Sequence, residues 1–173
     1  MTVAIKRKNN YIVFVLFLFL SACGYKFSGG GSLPAGIQKI NISTFTNKTS
    51  EIGVENIITD DLIYEFTRSD KAFLADQNEA DGFITGIVES LRVHNIARRG
   101  ATRTLERKVT VNVSLTLKNR NGKTIKVINS KSDNEIFEVA PDKMTTELNR
   151  RQAVKELSSR LAEKIFNSLT ENF

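Results

Sequence analysis

The densest run of chemistry-bearing side chains in this sequence is RRGATRTLERK. It holds Arg98, Arg99, Arg103, Arg107 and Lys108 with one acid, Glu106, among them. A guanidinium is a planar fork of donors that matches phosphate bidentately, so such a run could hold a phosphorylated ligand. The same residues would also make a solvated loop that aids solubility or meets acidic groups on a partner. For anion binding, Arg98 and Arg99 are the first choices, because a loop tip between two long strands would leave both free to reach out.

Other chemistries find little material. Ser-His-Asp or Cys-His catalysis needs an imidazole to move a proton. The chain has one histidine, His94, at the end of an expected strand, and one cysteine, Cys23. A metal centre needs a cluster of ligands that one Cys and one His do not provide. Asn121-Gly122-Lys123-Thr124 ends like a phosphate loop, but Leu117 stands where that motif requires glycine. Asn-Gly between two strand-like runs reads as a hairpin turn instead. Asp60-Asp61 reads as a solvated helix face and Asp142 as a helix N-cap. These residues argue against an enzyme and call for no cofactor and no metal.

The N-terminus supplies a compartment. Lys6, Arg7 and Lys8 precede an apolar run, YIVFVLFLFL at 11–20, which is a secretory signal pattern. The run is too short to span a bilayer, which takes about 20 apolar residues. The following Leu20-Ser21-Ala22-Cys23 resembles a bacterial lipobox. The resemblance implies cleavage after Ala22, lipid on Cys23 and, with Gly24 rather than Asp next, sorting to the outer membrane. Losing residues 1–22 removes three cations and no acid, lowering the formal charge from +6 to +3. So small a charge does not imply nucleic acid. The expected layout is a signal peptide at 1–22, a lipidated Gly-rich tether at 23–32 and a single domain at 33–173.

Residues 38–45 (QKINISTF) predict a strand, and Glu51–Arg68 an amphipathic helix with Val54, Ile57, Ile58, Leu62 and Phe66 as its stripe. Phe73-Leu74 could be a short strand. From Gly82 to His94 alternation puts Phe83, Thr85, Ile87, Glu89 and Leu91 on one face and Ile84, Gly86, Val88, Ser90 and Arg92 on the other. Arg107–Asn119 alternates most cleanly, with Val109, Val111, Val113, Leu115 and Leu117 opposed to polar residues. Lys123–Val139 alternates less well, with a bulge expected near 130–134. A last helix follows Pro141-Asp142, its stripe Val154, Leu157, Leu161, Ile165 and Leu169, with Ala153, Ala162 and Phe166 beside it. The expected fold is α+β: a two-layer sandwich with two helices on one face of a mixed, four-stranded or slightly larger sheet, in the order β-α-β-β-β-α.

Cys-Gly-Tyr-Lys-Phe at 23–27, Leu-Pro-Ala-Gly-Ile at 33–37, Ile-Ser-Thr-Phe-Thr-Asn-Lys-Thr at 42–49 and Gly53-Val54-Glu55 together resemble the start of the LPS-assembly lipoprotein LptE family. The Asn121-Gly122 hairpin and the C-terminal helix extend the similarity. The resemblance implies a lipid-anchored outer-membrane protein facing the periplasm, without catalytic activity. It would plug the LptD β-barrel and help assemble lipopolysaccharide into the outer leaflet, with the basic run meeting lipid A phosphates. The alternative of another class is a periplasmic adaptor or activator, or a secretion-pore lipoprotein, of similar small α/β outline.

Overall fold

The computed structural model describes residues 33–99 and 104–171. After a single 3-10 turn at Pro34–Gly36 the chain forms β1 (Lys39–Ile42), β2 (Thr46–Asn47), α1 (Val54–Thr67), β3 (Phe73–Leu74), β4 (Gly82–Arg99), β5 (Thr104–Asn119), β6 (Thr124–Val139) and α2 (Lys143–Thr170). The strands make one sheet in the order β3-β1-β4-β5-β6, with β2 also paired to β4. β1 runs parallel to β3 and β4, β2 runs parallel to β4, and β4, β5 and β6 form an antiparallel meander.

The two-layer sandwich is as expected, but the sheet has six strands rather than four and the chain order is β-β-α-β-β-β-β-α. Of the two short strands, Phe73–Leu74 stands where the sequence suggested one, whereas Thr46–Asn47 is below the length at which alternation can be read. The break between β1 and β2 has a local cause. The Phe45 N–H donates to Thr59 Oγ1 on α1 at 3.0 Å, not to a neighbouring strand. A side chain at Gly86 would come within 2.4 Å of the Phe45 ring. Phe45 therefore leaves the ladder to cover β4, and only glycine at 86 leaves room for it.

Helix α1 starts at Val54 rather than Glu51, because Gly53 adopts φ 91°. The Glu55 carboxylate reaches back to accept from the Gly53 N–H at 3.1 Å and from Asn47 Nδ2 at 2.7 Å. Helix α2 is capped by Asp142, whose Oδ1 accepts from the Thr145 N–H at 2.8 Å. The β5–β6 turn uses Gly122 at φ 77°, while Asn119 Oδ1 accepts from the N–H groups of Asn121 and Lys123. This is the glycine-dependent hairpin that Asn-Gly predicts.

The core lies between the helices and one face of the sheet. Val109, Val111, Val113, Leu115 and Leu117 of β5 are buried with Ile58, Leu62 and Phe66 of α1 and Leu157, Leu161, Ile165 and Leu169 of α2. Phe66 and Phe166 meet edge-on with centroids 5.0 Å apart. Each such side chain contributes about 1.5–3 kcal/mol on full burial. Ile57, expected in the α1 stripe, lies at its margin and is exposed. The opposite face of the sheet carries Thr110, Asn112, Ser114 and Thr116 of β5, which no helix covers.

Candidate functional site: the open sheet face and the β4–β5 arm

Strand β4 is not a simple alternating strand. Its register with β5 shifts between Val88 and Ser90, so Glu89 is an extra residue, and shifts again between Asn95 and Ala97 at Ile96. An extra residue reverses which side chains face the core beyond it. Leu91 and Val93 thereby pair with Val111 and Val109 on the helix side, whereas Arg92 pairs with Thr110 and His94 with Lys108 on the open side. This corrects the alternation read from sequence, which grouped Arg92 with Ile84 and Val88 and Leu91 with Thr85. The Glu89 carboxylate is held by Ser114 Oγ at 2.7 Å and Lys48 Nζ at 2.9 Å, and these bonds lower its pKa, Ser114 first. Both partners are remote in sequence, so no local signal announces the bulge.

The sequence-predicted cations do not converge on one point. Arg98 and Arg99 are the last residues of β4, paired with Leu105 and Thr104, so they belong to the ladder and not to a loop. Arg103 lies outside the described residues, as do Cys23, the signal segment and the tether. Arg107 pairs with Asn95 in the register of the helix side, and its Nε donates to Asn95 Oδ1 at 3.0 Å. Lys108 points to the open side beside His94. Arg92 and His94 were missed as partners of Lys108 because the bulge that brings them there is invisible in sequence.

Two other clusters match their cations with acids. On the helix side of β6, Asp133 lies between Arg160, at 3.3 Å, and Lys164, at 3.1 Å, while Arg160 also reaches Glu135 at 2.7 Å. Burial by itself would push the Asp133 carboxyl up. The Asn134 N–H, Lys164 and Arg160 outweigh it and hold the carboxyl below its ordinary value. Arg150 ties Glu51, before α1, to Glu147 on α2 at 2.7 and 2.6 Å, and lowers the Glu147 pKa to about 2.

A shallow groove runs between the helices, lined by Ile52, Ile57 and Leu148 with Asp60 and Asp61 on one wall and Arg151 and Lys155 on the other. Burial raises the Asp61 pKa, opposed in part by the Ser158 hydroxyl beside it. That hydroxyl stands without a well-aligned bond, since neither Asp61 Oδ2 nor Ser158 Oγ has a partner of ordinary geometry. Among the described residues no group of His, Cys, Asp and Glu is placed to hold a metal ion, and no helix is long and apolar enough to cross a membrane.

A two-layer α+β domain with a long basic hairpin and an open polar sheet face is the class these features define, a module that binds. Residues 37–169 match the family model described as "LptE: Lipopolysaccharide-assembly", and the chain belongs to that family. It is therefore a non-catalytic, lipid-anchored outer-membrane lipoprotein that faces the periplasm and assists lipopolysaccharide assembly with an LptD-like partner. No curated protein matches the sequence.

Among solved structures, an uncharacterized lipoprotein B from Nitrosomonas europaea is similar at 10% identity over 81% of this chain and 85% of that one, with a TM-score of 0.56. A putative lipoprotein from Caulobacter crescentus is similar at 10% identity over 73% and 88%, with a TM-score of 0.51. The PelC dodecamer from Paraburkholderia phytofirmans is similar at 16% identity over 82% and 95%, with a TM-score of 0.47. At these identities the likeness concerns the fold alone.

Proposed function

We propose that this chain sits inside its LptD-like barrel as a plug and contacts lipopolysaccharide directly, with lipid A phosphates meeting Arg98, Arg99 and Arg103 at the end of the β4–β5 arm. Cys23 carries the lipid at the head of the 23–32 tether, after removal of residues 1–22, and residues 33–173 form the working domain. The observation that carries the reading is the length of the arm. β4 has 18 residues and β5 has 16, and the arm they form ends at Arg98 and Arg99 of β4, paired with Leu105 and Thr104. The hydroxyl and amide side chains of the open face support the plug, because the interior of an outer-membrane barrel is polar.

The test replaces Arg98 and Arg99 by Ala in the full-length protein and measures lipopolysaccharide binding at moderate salt. Charge-assisted bidentate contacts of this kind should weaken binding by about tenfold or more when lost. Unchanged affinity of the folded double variant would overturn the phosphate assignment.

A further inference from the structure

We infer that the open sheet face carries a second anion site, formed by Arg92, His94 and Lys108, that takes the phosphate headgroup of an amphiphile. The register builds it. His94 lies directly opposite Lys108, and Arg92, opposite Thr110, is two residues along the strand from His94 and diagonal to Lys108 on the same face. Side chains so related lie about 5 Å apart when opposite and about 7–8 Å apart on the diagonal, a span one phosphate group can bridge.

These three groups stand together on one face without a bond to another described residue. Arg68, Arg107, Arg120, Arg150, Arg151 and Arg160 each donate to a carboxylate, carboxamide or backbone carbonyl. Arg92 is the one arginine with a described side chain that forms no hydrogen bond or ion pair with another described residue, and the same is true of His94 and Lys108. Of the acids on this face, Glu89 is already taken by Ser114 and Lys48, and Glu106 and Glu138, opposite each other one rung nearer the arm's end, form no ion pair with Lys108. A free guanidinium and ammonium on the same face meet a phosphate with charge complementarity that the other described arginines have already used internally.

The apolar neighbour selects the source of that phosphate. Ile136 lies opposite Lys108 on the third strand of the same rung and is 50% exposed. An apolar side chain against the anion site favours a headgroup with hydrocarbon attached over free phosphate. The site is separate from the arm's end, so it stands or falls independently of Arg98 and Arg99.

The experiment uses the full-length protein in dodecyl maltoside micelles, with radiolabelled dodecyl phosphate as probe and inorganic phosphate as competitor. Measured in the R98A/R99A background, so that the arm-end arginines do not contribute, expected are saturable retention by the parent, at least about tenfold weaker retention when R92Q/K108Q is added, and weaker retention when I136S is added. Arg92, Lys108 and Ile136 lie outside the buried core, and circular dichroism checks that each variant folds. Undiminished retention by R92Q/K108Q would overturn the site. Inorganic phosphate competing as well as dodecyl phosphate itself would overturn the assignment to an amphiphile.

Discussion

Two charged clusters on opposite sides of the β4–β6 meander behave in opposite ways. On the helix side, β6 sends Lys131, Asp133 and Glu135 inward, and α2 answers with Ser168, Lys164 and Arg160. On the open side, Arg92, His94 and Lys108 meet no described partner. The first arrangement seals an edge strand, since inward-pointing charge discourages pairing with another chain. Its energy belongs to the fold. The second adds nothing to the fold that a neutral side chain would not, so its charge is available to a ligand. The comparison separates residues that stabilise this domain from residues that let it bind.

Three substitutions would break or sharpen that contrast. Asp133→Asn should have the largest effect, a loss of about 1–2 kcal/mol in urea unfolding, because the buried end of the Arg160–Lys164 cluster loses its anion. The same carboxylate sets an acid limit. A carboxyl whose folded pKa is lowered stabilises above its unfolded value, near 3.9, and that stabilisation is lost as pH falls through the folded value. With Glu147 lowered to about 2 as well, stability should hold from neutrality to about pH 5 and fall between about pH 4 and 2. D133N should flatten part of that fall.

Asp61→Asn should act in the other direction. Its folded pKa is raised by burial, so the stability it contributes is full at low pH and lost as pH rises through the folded value. The variant should therefore melt higher than wild type at pH 7 and about the same at pH 3, as scanning calorimetry would show. R92Q/K108Q should have the smallest effect on unfolding, within about 0.5 kcal/mol. A larger loss would mean that the open-face cations serve the fold after all.

Much of this was legible in the sequence, and the reasons are particular. The β5 face was readable because Val109 to Leu117 alternate without interruption, and α2 because its apolar residues keep helical spacing from Ala153 to Leu169. Asp142 announced its cap, and Asn121-Gly122 its turn. The Lys123–Val139 bulge was expected near 130–134. The register shift falls at its near edge, between Ile128 and Lys131, with Ser130 at φ 56°. What could not be read depended on distant partners. β2 exists through pairing with β4, and the Glu89 bulge through Ser114 and Lys48. Because that bulge reverses the faces beyond it, the place of Lys108 on the polar face could be read from β5, but Arg92 and His94 beside it could not.

The central claim is that this domain works inside a barrel partner, and one measurement tests it most directly. Tagged full-length protein would be purified from its native outer membrane in mild detergent, and the material that accompanies it weighed and identified by mass spectrometry. A large outer-membrane β-barrel in equal amount is the result predicted here. A ring of the lipoprotein alone, or a soluble periplasmic protein in the barrel's place, would contradict it.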